Sequence, residues 1–263
     1  MAVEIIGKGF LSRHLEAAFG DRHPDTTVIC AGVTRTTSAE IADFDREAAL
    51  VHETVRRCKR TGRTLVFFST ASDSMYGAEG CSGHEDGPVY PISAYGRHKL
   101  SMEAVLASSG ADWLVFRLSH IVGEGQRPHQ LIPSLTAQVR TGQVTLHRNA
   151  HRDLLDVRHM VKALEGVLAI GVRHQVINVA SGVLEPIERI VDGIEQRLGV
   201  RASRTMKDVY VTTTRTSTAR LRMLVPEWNE IGFGPEYLPG LLDRYVGPVR
   251  GEAEFVGQAA RSL

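Results

Sequence analysis

Cysteine is scarce in this chain of 263 residues: Cys30, Cys58 and Cys81 are odd in number, widely spaced and form no Cys-x-x-Cys pair. They do not spell a disulfide framework and read as reduced thiols, as in a cytoplasmic protein. A dominant charge is lacking too. Thirty-one Lys and Arg stand against thirty Asp and Glu, a formal net charge of +1, so no global field recruits nucleic acid or an anionic membrane. No apolar run approaches the ~20 residues that cross a bilayer, no basic leader precedes the first apolar run, and neither repeats nor low-complexity segments occur. These absences place the protein in the cytoplasm, with no nucleic acid and no membrane as partner. The 43% hydrophobic content can bury a substantial core, as one compact domain or one domain with an appended lobe.

Within that frame, Tyr95 and Lys99 stand four residues apart in SAYGRHKLSMEAVL, downstream of a hydroxyl-rich strand end, FFSTASDSMYG. On a helix this spacing sets phenol and ammonium on one face, one turn apart. An ammonium beside a phenol favours the phenolate, so a tyrosine with an ordinary pKa of about 10 is expected to be acidified and able to exchange protons nearer neutrality. That is acid–base equipment for a carbinol or a carbonyl.

Along the chain, AVEIIGKGF is a short apolar run ending in glycines, and LSRHLEAAF carries Leu11, Leu15 and Phe19 at helical spacing. The turn between them reads Gly7-x-Gly9-x-x-Ser12, a GxGxxG frame with serine in third place. Such a loop lets backbone N–H groups and a helix N-terminus approach a diphosphate. TTVICAGV is a buried strand, and a long helix from about Ile41 to Arg60 follows with Ala48, Leu50, Val51 and Val55 as its apolar positions. RTLVFFST is the next strand, then the Tyr95 helix, then the strand ADWLVFRLS. Strands alternating with helices predict an α/β fold, a parallel sheet with helices on both faces. Ligands of such sheets bind beyond the carboxyl ends of the strands, where Gly7, Gly32, Ser69, Thr70 and Ser119 fall. Three further helices are expected at Val157 to Ala169, Pro186 to Leu198 and Tyr237 to Tyr245.

The glycine turn, the CAGVT strand end, the hydroxyl strand, Tyr95-Gly-Arg-His-Lys99 and FRLSHIVGEGQRP together resemble an extended short-chain dehydrogenase/reductase, the NAD(P)-dependent epimerase/dehydratase group acting mainly on nucleotide sugars. RNAHRDLLDVRHMVKAL and VINVASG are similar to that family's substrate-side segments. The likeness covers residues 1 to 20 and about 28 to 200. It implies a truncated Rossmann-like parallel sheet flanked by helices, with a small C-terminal substrate-binding lobe. The core would span 1–120, the lobe 121–248, interleaved with the core, and a mobile tail 249–263.

The resemblance implies NAD or NADP as cofactor, held by Gly7, Gly9, Phe10, Leu11, Ala31, Gly32, Ser69, Lys99 and Leu118. Tyr95 would be the general acid/base, Lys99 would bind the nicotinamide ribose and lower the tyrosine pKa, and either Ser72 or Thr70 would bond the reacting oxygen. A nucleotide-linked sugar would meet Asp73, Ser119, His120, Arg127, Arg148 and Arg152. Arg152 matches a position that binds the nucleotide diphosphate in relatives, or else pairs locally with Asp153. His120 replaces a frequent Asn and Val122 a frequent Tyr, so His120 is either a ligand contact or a structural histidine. His147 and His151 have no carboxylate or cysteine set beside them, and no metal site is expected. Relatives dimerise through the tyrosine helix and the helix before the hydroxyl strand, which implies a homodimer paired near Met102 and Val51; from spacing alone those two residues are core.

Two departures qualify this picture. The family's nucleotide-sugar dehydratases usually carry Thr-Asp-Glu where this chain has Ser72-Asp73-Ser74, and serine cannot replace a carboxylate that removes a carbon-bound proton, so dehydration is disfavoured. The link between the first helix and TTVICAGV is also too short for a strand–helix–strand segment. The second and third strands of the family sheet are then missing, and the acidic residue that reads an adenosine ribose has no home, although Arg35 could reach a phosphate there. The expected activity is an NAD(P)-dependent sugar epimerase or reductase. The alternative is a catalytically altered or cofactor-free sugar-nucleotide binding protein on the same fold.

Overall fold

The structure, a computed structural model, describes residues 2–34, 40–208 and 214–247. Arg35 and the expected tail from residue 249 lie outside the described residues. The chain opens with strand β1 (Glu4–Ile6), helix α1 (Phe10–Phe19), β2 (Thr26–Ile29), α2 (Ile41–Thr61), β3 (Thr64–Thr70), the single turn α3 (Asp73–Tyr76), α4 (Ala94–Ala107) and β4 (Trp113–Leu118). It continues through β5 (His120–Val122), α5 (Leu131–Arg140), β6 (Gln143–His147), β7 (His151–Arg152), β8 (Leu154–Asp156), α6 (Val157–Ala169) and β9 (Gln175–Val179). Last come β10 (Glu185–Pro186), α7 (Ile187–Leu198), β11 (Ser203–Lys207), α8 (Ala219–Leu224), a 3₁₀ turn (Pro226–Glu230) and α9 (Tyr237–Tyr245).

Five strands make the main sheet in the order β1-β2-β3-β4-β9, each neighbouring pair parallel. β1 pairs directly with β2, Glu4 opposite Thr27, so β1 is an edge strand and, among the described residues, no strand stands beyond it, in keeping with the short link after α1. β2, β3 and β4 are buried at every residue, the continuous apolar run of a parallel sheet covered on both faces. Their side chains alternate. Val66, Leu114 and Phe116 pack with Leu15, Phe19, Leu164 and Val167 of α1 and α6, whereas Leu65, Phe67, Trp113 and Val115 face Val51 and Val55 of α2 and Met102 and Leu106 of α4. Val51 and Met102 are thus core residues of the monomer, and the expectation that they pair between subunits is corrected. A second core, with Ile132, Val139, Leu146, Ile190, Ile194 and Leu241, binds α5, α7 and α9 to the β6–β11 pair.

The helix boundaries have local causes. α2 ends where Gly62 takes the left-handed conformation at φ +66 and its N–H caps the Cys58 carbonyl. α4 begins where the Ser93 hydroxyl accepts from the Gly96 N–H at 3.0 Å. The strand pairs β5–β8, β7–β10 and β6–β11, and α5, were not expected from the sequence; β5, β7, β8 and β10, at two or three residues each, leave no measurable period. All three cysteines are free, and among the described residues no helix is long and apolar enough to cross a membrane.

Candidate active site

At the carboxyl ends of β1 to β4 the loops enclose a cleft of about 630 Å³. Its first wall is the glycine turn. Gly7 has φ +134, and a Cβ there would come within 3.0 Å of the Cys30 and Ala31 backbone, so only glycine lets the end of β1 pass the exit of β2. Ser12 is fully buried and its hydroxyl accepts from the Gly9 N–H at 3.1 Å. The third place of the glycine frame therefore works as a cap as well as a small packing residue. A Cβ on Gly9 meets nothing within 4 Å: the N-terminus of α1 faces open space, as a diphosphate cradle requires.

β3 and α4 supply the chemistry. Thr70 ends β3 and Ser72 caps α3, and their hydroxyl oxygens are 2.8 Å apart. Both line the cleft, so they form one hydrogen-bonded hydroxyl pair rather than alternatives at separate places. Tyr95 and Lys99 enter from α4 on one face, with the Lys99 Nζ 5.7 Å from the centre of the Tyr95 ring. Lys99 is buried. Its ammonium donates to Glu47 Oε1 at 2.5 Å and to the Phe68 carbonyl at 3.2 Å, which leaves one of its three N–H donors for a ligand.

Glu47 was not anticipated. It shares the buried stripe of α2 with Val51 and Val55, and a carboxylate at that spacing from two core valines was the available signal. Burial alone would raise its pKa, but the His98 hydrogen bond and the Lys99 charge and hydrogen bond outweigh that and hold it below the usual carboxylate range. The consequence for Tyr95 corrects the sequence expectation. Burial raises the phenol, Lys99 lowers it and Glu47 raises it again, for a net shift upward. Burial thus outweighs the acidifying Lys99 charge expected from Tyr-x-x-x-Lys, and the Glu47 counter-ion adds to the rise.

The remaining expected residues divide. Gly9, Phe10, Leu11, Ala31, Gly32, Ser69, Leu118, Ser119, His120, Arg127 and Arg152 all line the cleft. Gly7 stands behind the turn as its hinge. The Ser69 hydroxyl is engaged below, donating to Glu103 Oε1 at 2.5 Å. Asp73 faces Arg152 at 3.5 Å, so the local Arg152–Asp153 pair does not form. Asp153 instead accepts from the Ser181 and Gly182 N–H groups at 2.9 and 2.8 Å, pinning the turn after β9. Arg148 is not brought to the cleft: it is exposed and bonds Asp208 at 2.7 Å. Burial first, and the Arg152 charge second, lower His120 to about 4, so it meets a ligand as a neutral imidazole.

Under the floor lies a buried polar network also absent from the sequence reading. Arg117 holds Glu103 through Nη2–Oε2 at 2.6 Å and Nε–Oε1 at 3.0 Å and donates to the Tyr76 hydroxyl at 2.7 Å. Tyr76 in turn donates to Asn178 Oδ1 at 2.9 Å. This second tyrosine is structural: it ties α3 to β4 and β9.

The NAD dependent epimerase/dehydratase family matches over residues 11–180. The chain belongs to this family. Membership agrees with the NAD or NADP expectation and with the parallel α/β architecture. A relative, dTDP-6-deoxy-L-talose 4-dehydrogenase (NAD(P)(+)) from Kitasatospora kifunensis, is 28% identical over 148 residues, 52% of this chain and 46% of that protein. A dTDP-4-dehydrorhamnose reductase from Burkholderia thailandensis is 34% identical over 108 residues, 38% of this chain and 35% of that one. The matched stretch thus spans less than half the length of either curated relative. Among solved structures, RMD from Pseudomonas aeruginosa complexed with NADPH superposes with a TM-score of 0.75 at 22% identity over 94% of this chain and 98% of that one. MoeE5 in complex with UDP-glucuronic acid and NAD gives 0.76 at 18% identity, covering 98% and 100%. At these identities the likeness is one of fold.

Proposed function

We propose that the protein is an NAD(P)-dependent oxidoreductase or epimerase acting on a nucleotide-linked sugar, with Tyr95 as general acid/base. One observation carries this: a single cleft at the strand ends gathers Tyr95, Lys99 and the Thr70–Ser72 hydroxyl pair opposite an open glycine cradle. The curated relatives are a dehydrogenase and a reductase of dTDP-linked sugars, which supports the substrate class.

The residues present fit the nicotinamide half of a dinucleotide: the unobstructed Gly9, the N-terminus of α1 and the spare Lys99 donor line its path. When bound, the nicotinamide gives or takes a hydride. Tyr95 then moves the hydroxyl proton of the reacting carbon, Ser72 or Thr70 donates to or accepts from its oxygen, and Lys99 fixes the adjoining ribose. Neutral His120, Arg127 and Arg152 face the sugar nucleotide from the opposite wall. Binding and turnover test this together. Cofactor at about 100 times its Kd stabilises the fold by about 2.7 kcal/mol, which raises the melting temperature by roughly 5–10 °C for a chain of this size. Tyr95→Phe should keep that shift while turnover falls to less than about a tenth, given the 10²–10⁴ that positioned acid–base groups contribute.

A second reading, a sugar-nucleotide binding protein without redox chemistry, draws support from the edge position of β1, which leaves the adenosine half without enclosing strands. No melting shift at millimolar NAD(H) or NADP(H), with one at millimolar nucleotide sugar, would select it. Within the favoured reading the protein works in the cytoplasm as a homodimer. Exposed Ile41, Tyr90 and Ile92, unlike the buried Val51 and Met102, are among the apolar side chains open to a partner, and light scattering checks the mass.

A further inference from the structure

Among the described residues Glu47 is the one acid lining the cleft, and groups from several elements meet its carboxylate. From α4, Lys99 meets Oε1 at 2.5 Å and His98 Nε2 meets Oε2 at 2.9 Å. From the segment after β2, the Val33 N–H approaches Oε2 at 3.4 Å. Gly32 in that segment leaves the space the carboxylate fills, since a Cβ on Gly32 would collide with Oε1. From β3, the Phe68 carbonyl takes a second Lys99 donor, and the Phe67 ring lies 4.7 Å from the ammonium. Lys99 and His98 are the charged or titratable groups paired with Glu47, and Lys99 and Glu47 are those acting on Tyr95. The cations Lys8, Arg127 and Arg152 and the imidazoles of His120 and His129 also line the cleft.

An ammonium bound this closely to a carboxylate presents little net charge to a third group. A site in which Tyr95 must receive a proton from a carbinol gains from a bare ammonium nearby, whereas one in which Tyr95 must deliver a proton to a carbonyl gains from a neutralised one. We propose that Glu47 is a positioning residue for Lys99, a counter-charge that anchors the ammonium between α2, α4 and β3 and offsets its pull on the Tyr95 phenol. The site then presents a proton donor, as the reduction of a keto sugar requires. This rests on the reading of Tyr95 and Lys99 as the acid–base pair. The step balances: hydride from the reduced nicotinamide joins the carbonyl carbon, the phenolic proton joins the oxygen, and solvent returns a proton to Tyr95.

The test needs neither substrate nor cofactor. Tyrosinate absorbance near 295 nm, followed through an alkaline titration and corrected by the Tyr95→Phe form, isolates Tyr95. Glu47→Gln keeps the volume and removes the charge, and it should lower the Tyr95 midpoint by about one pH unit or more, the effect of a nearby unmatched opposite charge. Glu47→Asp, which withdraws the carboxylate by one methylene, should give an intermediate midpoint. It carries the test alone should Glu47→Gln fail to fold. A midpoint unchanged in the folded variants overturns the proposal. In turnover, Glu47→Gln should move the rising limb of the pH profile for sugar oxidation to lower pH by the same interval, with Glu47→Asp restoring most of it. A profile that stays in place while only KM changes would also overturn it. Absence of turnover with every nucleotide sugar would count against the proposed function, while the absorbance titration would still decide the role of Glu47.

Discussion

His120, at the wall of the cleft, and Asp153 meet where the His120 backbone N–H donates to the Asp153 carbonyl at 3.0 Å, and burial shifts the pKa values of their side chains in opposite senses. Burial, aided by the Arg152 charge and opposed by Asp73, takes His120 from its ordinary 6.5 to about 4. Burial takes Asp153 from 3.8 to about 6, against the hydrogen bonds it accepts from Ser181 and Gly182. The lowered histidine contributes stability above pH 6.5 and loses it as pH falls toward 4, because the unfolded chain takes up the proton first. The raised carboxyl does the reverse, contributing fully below pH 3.8 and losing that contribution as pH rises through 6. Between pH 7.5 and 4.5 linkage gives about 2.5 kcal/mol lost through His120 and about 2 kcal/mol gained through Asp153. In the native chain the two nearly cancel. His120→Gln removes only the loss, so its stability relative to the unmodified protein should rise by about 2.5 kcal/mol on going from pH 7.5 to 4.5. Asp153→Asn removes only the gain, and its relative stability should fall by about 2 kcal/mol over the same interval. Urea unfolding followed by circular dichroism at the two pH values reads both, and taking differences from the unmodified protein removes the titrating groups remote from this pair. Relative stabilities that change by less than about 0.5 kcal/mol, the ordinary non-additivity of independent sites, or that change with the opposite sign, would refute the burial argument.

Glu103→Leu leaves the Arg117 charge buried with only the Tyr76 hydroxyl, which should cost about 3–5 kcal/mol and lower the melting temperature by roughly 6–20 °C; a calorimetric loss under about 1 kcal/mol would mean that the network is not held as a unit. Because the Thr70 and Ser72 hydroxyls bond each other, Thr70→Val and Ser72→Ala should not be additive in kcat/KM, with a coupling of about 0.5–3 kcal/mol in a double-mutant cycle. Additive losses would separate the two hydroxyls. A Cβ on Gly96 would collide with the Ser74 carbonyl, so Gly96→Ala should force α3 from α4 at about 1–3 kcal/mol and reduce turnover with it. Unchanged melting and turnover would contradict that close approach.

Where side chains act through local order, the sequence disclosed them. The apolar stretch at residues 65–68 marked β3, the α2 pattern placed its start at Ile41, and Gly7 and Gly9 declared the glycine frame although Ser12 replaces its last member. Electrostatics escaped because its partners come from far along the chain. Glu47 reaches Lys99 across 52 positions, so the effect of Tyr-x-x-x-Lys on the phenol could not be judged from that motif alone. Asp73 and Arg152 likewise meet only after β7 is folded against α3, and Arg148, an equally good anion fork by composition, is turned away by Asp208. Short strand pairs such as β7–β10, two residues each, exist because β8 and α7 hold them in place, a tertiary cause with no local signature.

With no described strand beyond it, β1 is a boundary of the sheet, and a boundary strand offers unpaired backbone donors and acceptors to any second chain that comes alongside. Two features here oppose such strand addition. β1 is only three residues long, too short to template a stable ribbon, and it begins with the charged Glu4, flanked by Arg57 at 2.8 Å and Arg63 at 3.9 Å. Neutralising Glu4 would therefore bear on colloidal behaviour, the tendency of folded molecules to join edge to edge, more than on the cleft at the other end of the same strand.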